Sequence, residues 1–305
     1  MRTASSKPSP YYLLIYAAIL AAGSIYSQIS PSGVSHAKPL APGITSDLNT
    51  PTAPQIPSYF AGKQNLLNIY FVKLGWFWTT LAYTLLQATT RPSSRPISRP
   101  SHTHYIQSAT RYTLITLAWI FTTQWLFGPA LIDRSFTITG GHCEAHPATL
   151  RETAELANLS NLSSSISCKM AGGRWRGGHD ISGHVFMLVL SSAFLLLELY
   201  LSDAHSAHPH VSDRAAAAVA RDMTAEERSA IGGWESENMA KFRMYARYFV
   251  WGVVALDLWM LMMTAIWFHT WMEKLSGLLI ASSTLFGVYW MADFVPAWRA
   301  LVGGL

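Results

Sequence analysis

The chain has 305 residues, of which 50% are hydrophobic and only 13% are charged. Because roughly a quarter of the residues in soluble domains are charged, this composition argues against a soluble protein and favours one membrane domain. The net charge of +5 is modest and spread over loops, so it does not indicate nucleic-acid binding. The 12 tryptophans and 13 tyrosines suit a chain with many membrane–water interfaces.

Apolar stretches predict an all-α polytopic membrane protein with six transmembrane helices, since a backbone in lipid must satisfy its hydrogen bonds within helices. The predicted spans cover residues 11–26, 66–87, 113–132, 185–201, 249–268 and 275–294. The first is short enough to be a cleaved signal peptide, but we favour an uncleaved anchor. This gives a single membrane domain of residues 11–305 after a cytoplasmic N-terminus of residues 1–10. A Pro-, Ser- and Thr-rich linker without apolar periodicity runs from Gln28 to about Lys63.

The loops between the spans predict the orientation. Residues 91–111 contain four arginines and no acidic residue, which the positive-inside rule places in the cytoplasm. The repeated prolines of residues 91–100 predict that this part of the loop is not helical. The polar connector from Ser202 to about Arg247, with a helical piece from Asp213 to Arg228, falls on the same side. Alternation then places both termini in the cytoplasm and the loop of residues 133–184 in the lumen of the secretory pathway.

The predicted lumenal loop carries two features typical of secreted chains. Its two N-glycosylation sequons begin at Asn158 and Asn161. The two cysteines of the chain, Cys143 and Cys168, also lie in this loop, and a pair confined to an oxidising compartment predicts a disulfide. Both features agree with the orientation that the arginines indicate.

Three ionisable residues lie inside predicted spans, where a charge is costly unless it is paired, protonated or solvated. Glu198 lies near the cytoplasmic boundary of the fourth span, and we favour its solvation there over a proton shared with Asp257. The role of Asp257 stays open. Lys73 could extend to the lumenal surface or join a phosphate site, and the sequence does not decide between the two.

The most polar stretch of the chain lies immediately before the fourth span. Its sequence is Arg174-Trp-Arg-Gly-Gly-His-Asp-Ile-Ser-Gly-His184. Arginine guanidinium groups suit phosphate, glycine lets backbone amides approach an anion, and histidine serves as acid, base or nucleophile near neutral pH. Since a helix start needs only one Ser or Asp as its cap, this set predicts a phosphate-handling site rather than an ordinary helix start.

A second histidine ends the fifth span at the same predicted membrane face. His269 is followed by Glu273, which would lie one helical turn further on the same face and could orient and stabilise the imidazole. We therefore expect the imidazoles of His184 and His269 within about 10 Å of each other, close enough to flank one phosphorus atom.

These motifs resemble those of a known family. The stretch Gly177-Gly-His-Asp-Ile-Ser-Gly-His184 before one span, and Phe268-His-Thr-Trp-Met-Glu273 after the next, are similar to the fat storage-inducing transmembrane family. Residues 125–134 and 139–143 look similar too, and the likeness covers most of the chain from the second span onward. The resemblance implies an enzyme of the endoplasmic-reticulum membrane, with its active site facing the lumen and a helical bundle like that of the lipid phosphate phosphatases.

The resemblance also implies roles for individual residues. Ser182-Gly183-His184 is similar to the Ser-Gly-His element of the lipid phosphate phosphatases, and His269 with Glu273 to their His-x-x-x-Asp element. By this correspondence His269 is the nucleophile that forms a phosphohistidine, and His184 is the general acid. Ser182 and Gly183 would bind the substrate, and Glu273 stands where the superfamily has aspartate.

The cationic elements of that superfamily are not recognisable. Its lysine with a downstream Arg-Pro is absent, and Met263 occupies the place of the arginine six residues before the second histidine. We therefore assign phosphate binding to Arg174 and Arg176. These departures argue against ordinary lipid phosphatase specificity.

The activity that the resemblance implies is that of an acyl-CoA diphosphatase. It would hydrolyse the phosphoanhydride of long-chain fatty acyl-CoA to acyl 4′-phosphopantetheine and adenosine 3′,5′-bisphosphate, in support of lipid homeostasis, phospholipid synthesis and lipid droplet formation. No metal or other cofactor is expected, since histidine performs the covalent step and fixed donors stabilise the oxyanions. Fatty acyl-CoA is the expected ligand, neutral lipids are a second candidate, and the protein partners are unknown.

Three alternatives stay open. The protein could be a lipid phosphate phosphatase, or a non-enzymatic membrane protein that binds di- or triacylglycerol and promotes lipid droplets. The third is a zinc site, for which the lumenal loop offers five candidate ligands, His142, Cys143, His146, Cys168 and His179. Their spacing matches no standard structural site, and an oxidising lumen favours the disulfide instead.

Overall fold

The computed structural model describes residues 8–30, 58–62, 64–90, 102–124, 129–145, 164–207 and 225–305. The sequons at Asn158 and Asn161 and the candidate ligand His146 lie outside the described residues. So do most of the predicted linker, much of the helical piece predicted from Asp213 to Arg228, and the side chain of Arg174.

The described residues form a bundle of α-helices with a small antiparallel sheet at one end. The helices are α1 (Leu14–Ile29), α2 (Gly75–Thr90), α3 (His102–Thr123), α4 (Leu131–Ile138), α5 (Ser165–Met170), α6 (Gly183–Ala207), α7 (Ala225–Trp267), α8 (Trp271–Leu285) and α9 (Pro296–Val302). The strands are β1 (His142–Ala145) and β2 (Gly173–Arg176). Shorter π-helical and 3-10 segments are Pro10–Leu13, Tyr59–Ala61, Leu67–Val72, Phe286–Trp290 and Met291–Asp293.

Four helical segments of the described chain are long and apolar enough to cross a membrane, which makes the protein a multi-pass membrane protein. They are Pro10–Ile29, Gly183–Ala204, Glu237–Trp267 and Trp271–Asp293. They match the first, fourth, fifth and sixth predicted spans. The second predicted span is broken into the π-helix Leu67–Val72 and α2, and α2 alone is only about 24 Å long at ~1.5 Å per residue.

The boundaries predicted for the third span are wrong. The prediction was residues 113–132, whereas α3 covers His102–Thr123. The prolines that argued for a loop end at Pro100, and a proline restricts its own residue and the one before it, so a helix can begin two residues later. Arg111, counted in the cytoplasmic loop, therefore belongs to a helix.

The predicted polar connector is also more helical than its composition suggested. α6 continues past residue 201 to Ala207, and α7 begins at Ala225 instead of residue 249. The apolar pattern marks only the part of a helix that meets lipid or core, and charged residues with high helix propensity extend it further. One such pair on α7, Glu237 and Lys241, lies one turn apart with its charged atoms 2.7 Å apart.

Helix α6 is the centre of the bundle. Its residues from Val185 to Leu195 are all buried, and it packs against α2, α3, α7 and α8. A helix that is apolar on most sides is stable in a protein core or in lipid, and the neighbours of α6 account for its burial after His184.

The bundle has two ends, which we call the His184 end and the Glu198 end after residues of α6. Asn68 and His269 lie at the His184 end, whereas Gln87, Arg111 and Tyr289 contact Glu198. Trp290 donates to the carbonyl of Pro8 and Arg111 to that of Val302, so both described chain ends lie at the Glu198 end. The longer helices between the two ends are α1, α2, α3, α6, α7 and α8, and four of them contain the segments that are long and apolar enough to cross a membrane.

Glu198 is neither solvated nor paired with Asp257, which corrects both predictions for it. Its side chain is 1% exposed and accepts hydrogen bonds from Arg111 at 2.6 and 3.0 Å, from Ser108 at 2.8 Å and from Tyr289 at 2.8 Å. A bidentate guanidinium with two hydroxyl donors satisfies a buried carboxylate fully. The carboxylate of Asp257 instead accepts the Ser191 hydroxyl at 2.7 Å.

A disulfide and a two-stranded sheet hold the loop segments at the His184 end. Cys143 and Cys168 are bonded, with Cα atoms 5.7 Å apart, as the sequence predicted. β1 pairs antiparallel with β2, and the Phe136 and Trp175 rings stack 4.7 Å apart beside the sheet. This arrangement carries the chain from β2 directly to the start of α6.

Candidate active site

His184 is positioned by the first turn of α6. Ser182, two residues before His184, caps this helix, because its hydroxyl accepts a hydrogen bond from the Val185 N–H at 3.3 Å. The Ser182 N–H donates to the Glu273 carbonyl at 3.1 Å, which ties the start of α6 to α8. Gly277 of α8 permits this approach, since a Cβ there would lie 2.6 Å from the Ser182 carbonyl oxygen.

The role predicted for Ser182 in substrate binding does not agree with this placement. Its side chain is fully buried and its hydroxyl serves as the helix cap. Gly183 is half-buried at the first position of α6. The Ser-Gly-His element therefore presents His184, while its serine secures the helix start.

The imidazole of His184 is held by an asparagine that the sequence analysis did not single out. His184 Nε2 lies 3.0 Å from Asn68 Oδ1, and the Asn68 N–H donates to Asn65 Oδ1 at 2.8 Å. Asn68 belongs to the π-helix Leu67–Val72, a form frequent at functional sites. The available clue was two asparagines at the start of a predicted membrane span, where an amide is costly without a partner.

His269 occupies the junction between α7 and α8 with a strained backbone. Its φ is 62°, in the left-handed region that non-glycine residues rarely adopt. Such strain costs on the order of 1–3 kcal/mol and is found where surrounding structure fixes a functional side chain. His269 is the one non-glycine residue of the described chain with a positive φ.

Glu273 orients His269 through a helix cap. Thr270 and Glu273 form a reciprocal capping box at the start of α8, in which the Glu273 carboxylate accepts the Thr270 N–H at 2.8 Å. The same oxygen lies 3.2 Å from His269 Nδ1. The stretch Thr270-Trp-Met-Glu273 has the sequence pattern of a capping box. The sequence analysis predicted only that Glu273 lies one helical turn from His269.

The two histidines come together at the His184 end. Their ring centroids are 6.5 Å apart and the ring planes are inclined by 48°, within the separation predicted from the sequence. Because Nδ1 of His269 faces Glu273, its Nε2 is the nitrogen suited to attack. Two imidazoles at this separation can flank one phosphorus atom.

Asp180 is a second acidic group near His269, after Glu273. Burial raises the pKa of the Asp180 carboxyl above its usual range, while the charge of His269 opposes the shift. The neighbouring His179 is fixed by its backbone N–H to Thr139 Oγ1 at 2.7 Å and by Nε2 to Ser276 Oγ at 3.2 Å. The loop before α6 is thus held against both α4 and α8.

The structure describes the side chain of one of the two arginines predicted to bind phosphate, and it places a further cation beside His269. Arg176 is 62% exposed and lies 3.7 Å from Glu144, so it faces solvent. Lys73 is exposed beside the π-helix, as expected if it extends to the surface. Lys274, which the sequence analysis did not weigh, is 5% exposed and lines a cavity of about 400 Å³ together with His269.

The zinc alternative loses two of its candidate ligands. Cys143 and Cys168 are joined in the disulfide and are not thiolates. Among the described residues, no group of three His, Cys, Asp or Glu side chains is arranged to hold a metal ion. Of the three remaining candidates, His142 contacts Glu144, His179 contacts Ser276, and His146 lies outside the described residues.

Comparisons with known proteins agree with the motifs. Residues 56–289 match the family described as fat storage-inducing transmembrane protein. The chain is 30% identical over 248 residues to acyl-coenzyme A diphosphatase fit1 of Schizosaccharomyces pombe, covering 81% of this chain and 79% of that protein. It is 25% identical over 249 residues to acyl-coenzyme A diphosphatase FITM2 of Mus musculus, covering 80% and 78%. No solved structure matches the chain.

Proposed function

The chain belongs to the fat storage-inducing transmembrane family, and we propose that it hydrolyses the phosphoanhydride of long-chain fatty acyl-CoA at the His184–His269 pair. The relatives that it matches over most of its length are named acyl-coenzyme A diphosphatases. The observation that carries the proposal is the 6.5 Å pair of imidazoles, one of them oriented by Glu273. The products would be acyl 4′-phosphopantetheine and adenosine 3′,5′-bisphosphate.

In the first step His269 Nε2 attacks the phosphorus of the pantetheine phosphate. A P–N bond forms, the bridging P–O bond breaks, and adenosine 3′,5′-bisphosphate leaves. Glu273 holds Nδ1 and stabilises the positive charge that develops on the ring. Glu273 is the third residue of α8, so its carboxylate lies near the positive end of the helix dipole and stabilises the start of this helix.

His184 supplies the proton that the leaving oxygen takes. An imidazolium donates from both nitrogens, and the Asn68 amide oxygen accepts the proton of Nε2. In the second step water attacks the phosphohistidine, His184 accepts a proton from that water, and acyl 4′-phosphopantetheine is released. This mechanism uses only side chains of the chain and needs no metal.

The bundle supports a lumenal site in the endoplasmic-reticulum membrane with both termini in the cytoplasm. The six longer helices agree with six spans, and the disulfide lies at the His184 end, as expected for an oxidising lumen. The acyl chain would lie among the apolar helices while the nucleotide stays outside them. The products of acyl-CoA hydrolysis would enter phospholipid synthesis and lipid droplet formation.

Product analysis with purified full-length protein in detergent tests the proposal. Mass spectrometry should detect adenosine 3′,5′-bisphosphate released from acyl-CoA, and no inorganic phosphate released from phosphatidic acid. Phosphate from phosphatidic acid alone would identify a lipid phosphate phosphatase. Lipid droplet formation that tolerates Ala at both His184 and His269, with no product from either substrate, would identify a lipid-binding protein without enzymatic activity.

A further inference from the structure

Helix α1 forms one wall of the cavity beside His269, although it lies before the family match at residues 56–289. Gly23 brings α1 against the last turns of α7, since a Cβ there would lie 2.6 Å from the Ala265 Cβ and 3.2 Å from the Met262 carbonyl oxygen. The cavity of about 400 Å³ lies just beyond this contact. Its lining includes Ser24, Ser27, Gln28, His269, Thr270 and Lys274.

Lys274 is a buried cation whose partners within the described chain are neutral. Its ammonium donates to the Ser24 hydroxyl at 2.9 Å and to the Ala265 carbonyl at 2.6 Å. The adjacent carboxylate, that of Glu273, is already engaged by His269 and by the Thr270 N–H. Burial of a charge is costly without a counter-ion, so an anion that entered the cavity would be bound favourably.

The geometry of Lys274 leaves room for such an anion. An ammonium has three N–H donors, and Ser24 and Ala265 account for two of them. The hydroxyl of Ser27 and the amide of exposed Gln28 add neutral donors at the same cavity. Among the described cations, Lys274 is the one that shares a cavity with His269, whereas Arg176 faces solvent.

We propose that this cavity is a phosphate subsite, in which Lys274, positioned by Ser24 of α1, binds a phosphate of the acyl-CoA diphosphate next to the phosphorus that His269 attacks. The inference rests on the proposed function, because it takes the substrate from there. It assigns to α1 a part of the site that the family motifs do not include. It also adds a buried cation to Arg174 and Arg176, the two arginines to which the sequence analysis assigned phosphate binding.

Binding of adenosine 3′,5′-bisphosphate to the full-length protein in detergent, measured by isothermal titration calorimetry, tests the subsite independently of turnover. Lys274→Met should raise Kd by about 10- to 100-fold, the range expected when a charged hydrogen bond to phosphate is lost. Lys274→Arg should keep Kd within a few-fold of wild type, and adenosine without phosphate should bind equally weakly to all three proteins. The matched control is Lys241→Met, the same change at an exposed lysine of α7 that pairs with Glu237, and it should bind as wild type.

An exposed residue at the cavity provides a second test that folding cannot obscure. Gln28→Glu should raise Kd for adenosine 3′,5′-bisphosphate and Gln28→Lys should lower it, each by a few-fold, because the added charge lies near the phosphate. Equal binding by Gln28→Glu, Gln28→Lys and wild type would overturn the subsite, and so would wild-type affinity in folded Lys274→Met. The proposed function fails separately, if wild type binds the bisphosphate through Lys274 but releases no product from acyl-CoA.

Discussion

The two ends of α6 carry polar clusters of opposite character. At the Glu198 end an Arg–Glu pair is 4% and 1% exposed, and three further side chains complete its hydrogen bonds. At the His184 end the histidines are partly exposed, His269 is strained, and Lys274 has only neutral partners in the described chain. Fourteen residues, roughly 20 Å of helix, separate the two.

The two clusters differ in the property that distinguishes a functional site from a structural cluster in a membrane bundle. Both clusters are polar, titratable and placed where lipid makes charge costly. The Glu198 cluster is closed, because all three guanidinium nitrogens of Arg111 and both carboxylate oxygens of Glu198 are hydrogen-bonded within the protein. The His184 cluster is open, since its histidines are oriented but partly exposed and the ammonium of Lys274 hydrogen-bonds only to neutral groups of the described chain. Accessible, oriented and uncompensated groups mark the site, whereas polarity alone does not.

Removing Glu198 should give the largest effect on stability. Glu198→Ala leaves Arg111 buried without its partner, which should lower the free energy of unfolding by about 3–5 kcal/mol. The hydrolysis rate per folded molecule should stay near that of wild type, because the cluster lies far from the histidines. Thermal melting in detergent, followed by an assay of the folded fraction, measures both quantities.

The control for that change is Glu237→Ala on α7. Glu237 also pairs with a cation, but its side chain is 67% exposed, so less than about 1 kcal/mol should be lost. Equal destabilisation by the two substitutions would mean that the Glu198 cluster is not a closed structural pair.

Removing His184, the proposed general acid, should reduce the rate without affecting the fold. His184→Ala should lower the single-turnover rate with acyl-CoA by about 10²-fold, near the lower end of general-acid effects, because a nucleotide phosphate is already a fairly good leaving group. With a phosphate monoester that has an alkoxide leaving group the loss should be larger. An equal loss with both leaving groups would argue against proton donation by His184.

Changing the orienting carboxylate should have a smaller effect. Glu273→Gln retains a hydrogen-bonding side chain in the capping box but removes the charge that supports His269, so a loss of about 10-fold in rate is expected. Size-exclusion chromatography and melting should match wild type. A Glu273→Gln enzyme as inactive as one without His269 would mean that Glu273 takes part in the chemistry itself.

The smallest expected effect is on how the stability of the fold depends on pH. Because the folded-state pKa of Asp180 is raised, the stabilisation linked to its protonated form is full below about pH 4 and is lost as pH rises through the raised pKa. Asp180→Asn should remove this component, worth less than about 1 kcal/mol for a partly exposed group. The charged groups that act on it are His269, Glu273, Asp133 and Lys169. Melting temperatures of both proteins between about pH 4 and pH 7 measure the difference.

The structure of the His184 end was largely predictable from sequence. His184 and His269 each stand where an apolar run meets polar residues, and alternation of spans places the two boundaries on one face. The spacing of Glu273 from His269 is a local property of a helix. The disulfide was predictable because the chain has two cysteines and both lie in one loop.

The contacts at the Glu198 end were not predictable, because the residues that pair there are remote in sequence. Arg111 and Glu198 are brought together by the packing of α3 against α6, and the prolines before α3 suggested a loop there. Asn68 and Lys274 were missed for a related reason. Each gains its meaning from a side chain on another element, His184 in one case and Ser24 in the other, which no local pattern encodes.

The most direct measurement is a single turnover of acyl-CoA by wild type and by His269→Ala, quenched in base and analysed by mass spectrometry. Wild type should show a transient acyl-pantetheine phosphoryl group on His269, with release of adenosine 3′,5′-bisphosphate at the same rate. His269→Ala should fold, form no adduct and release no product above background. Hydrolysis by folded His269→Ala at a rate near wild type would contradict the covalent role of His269.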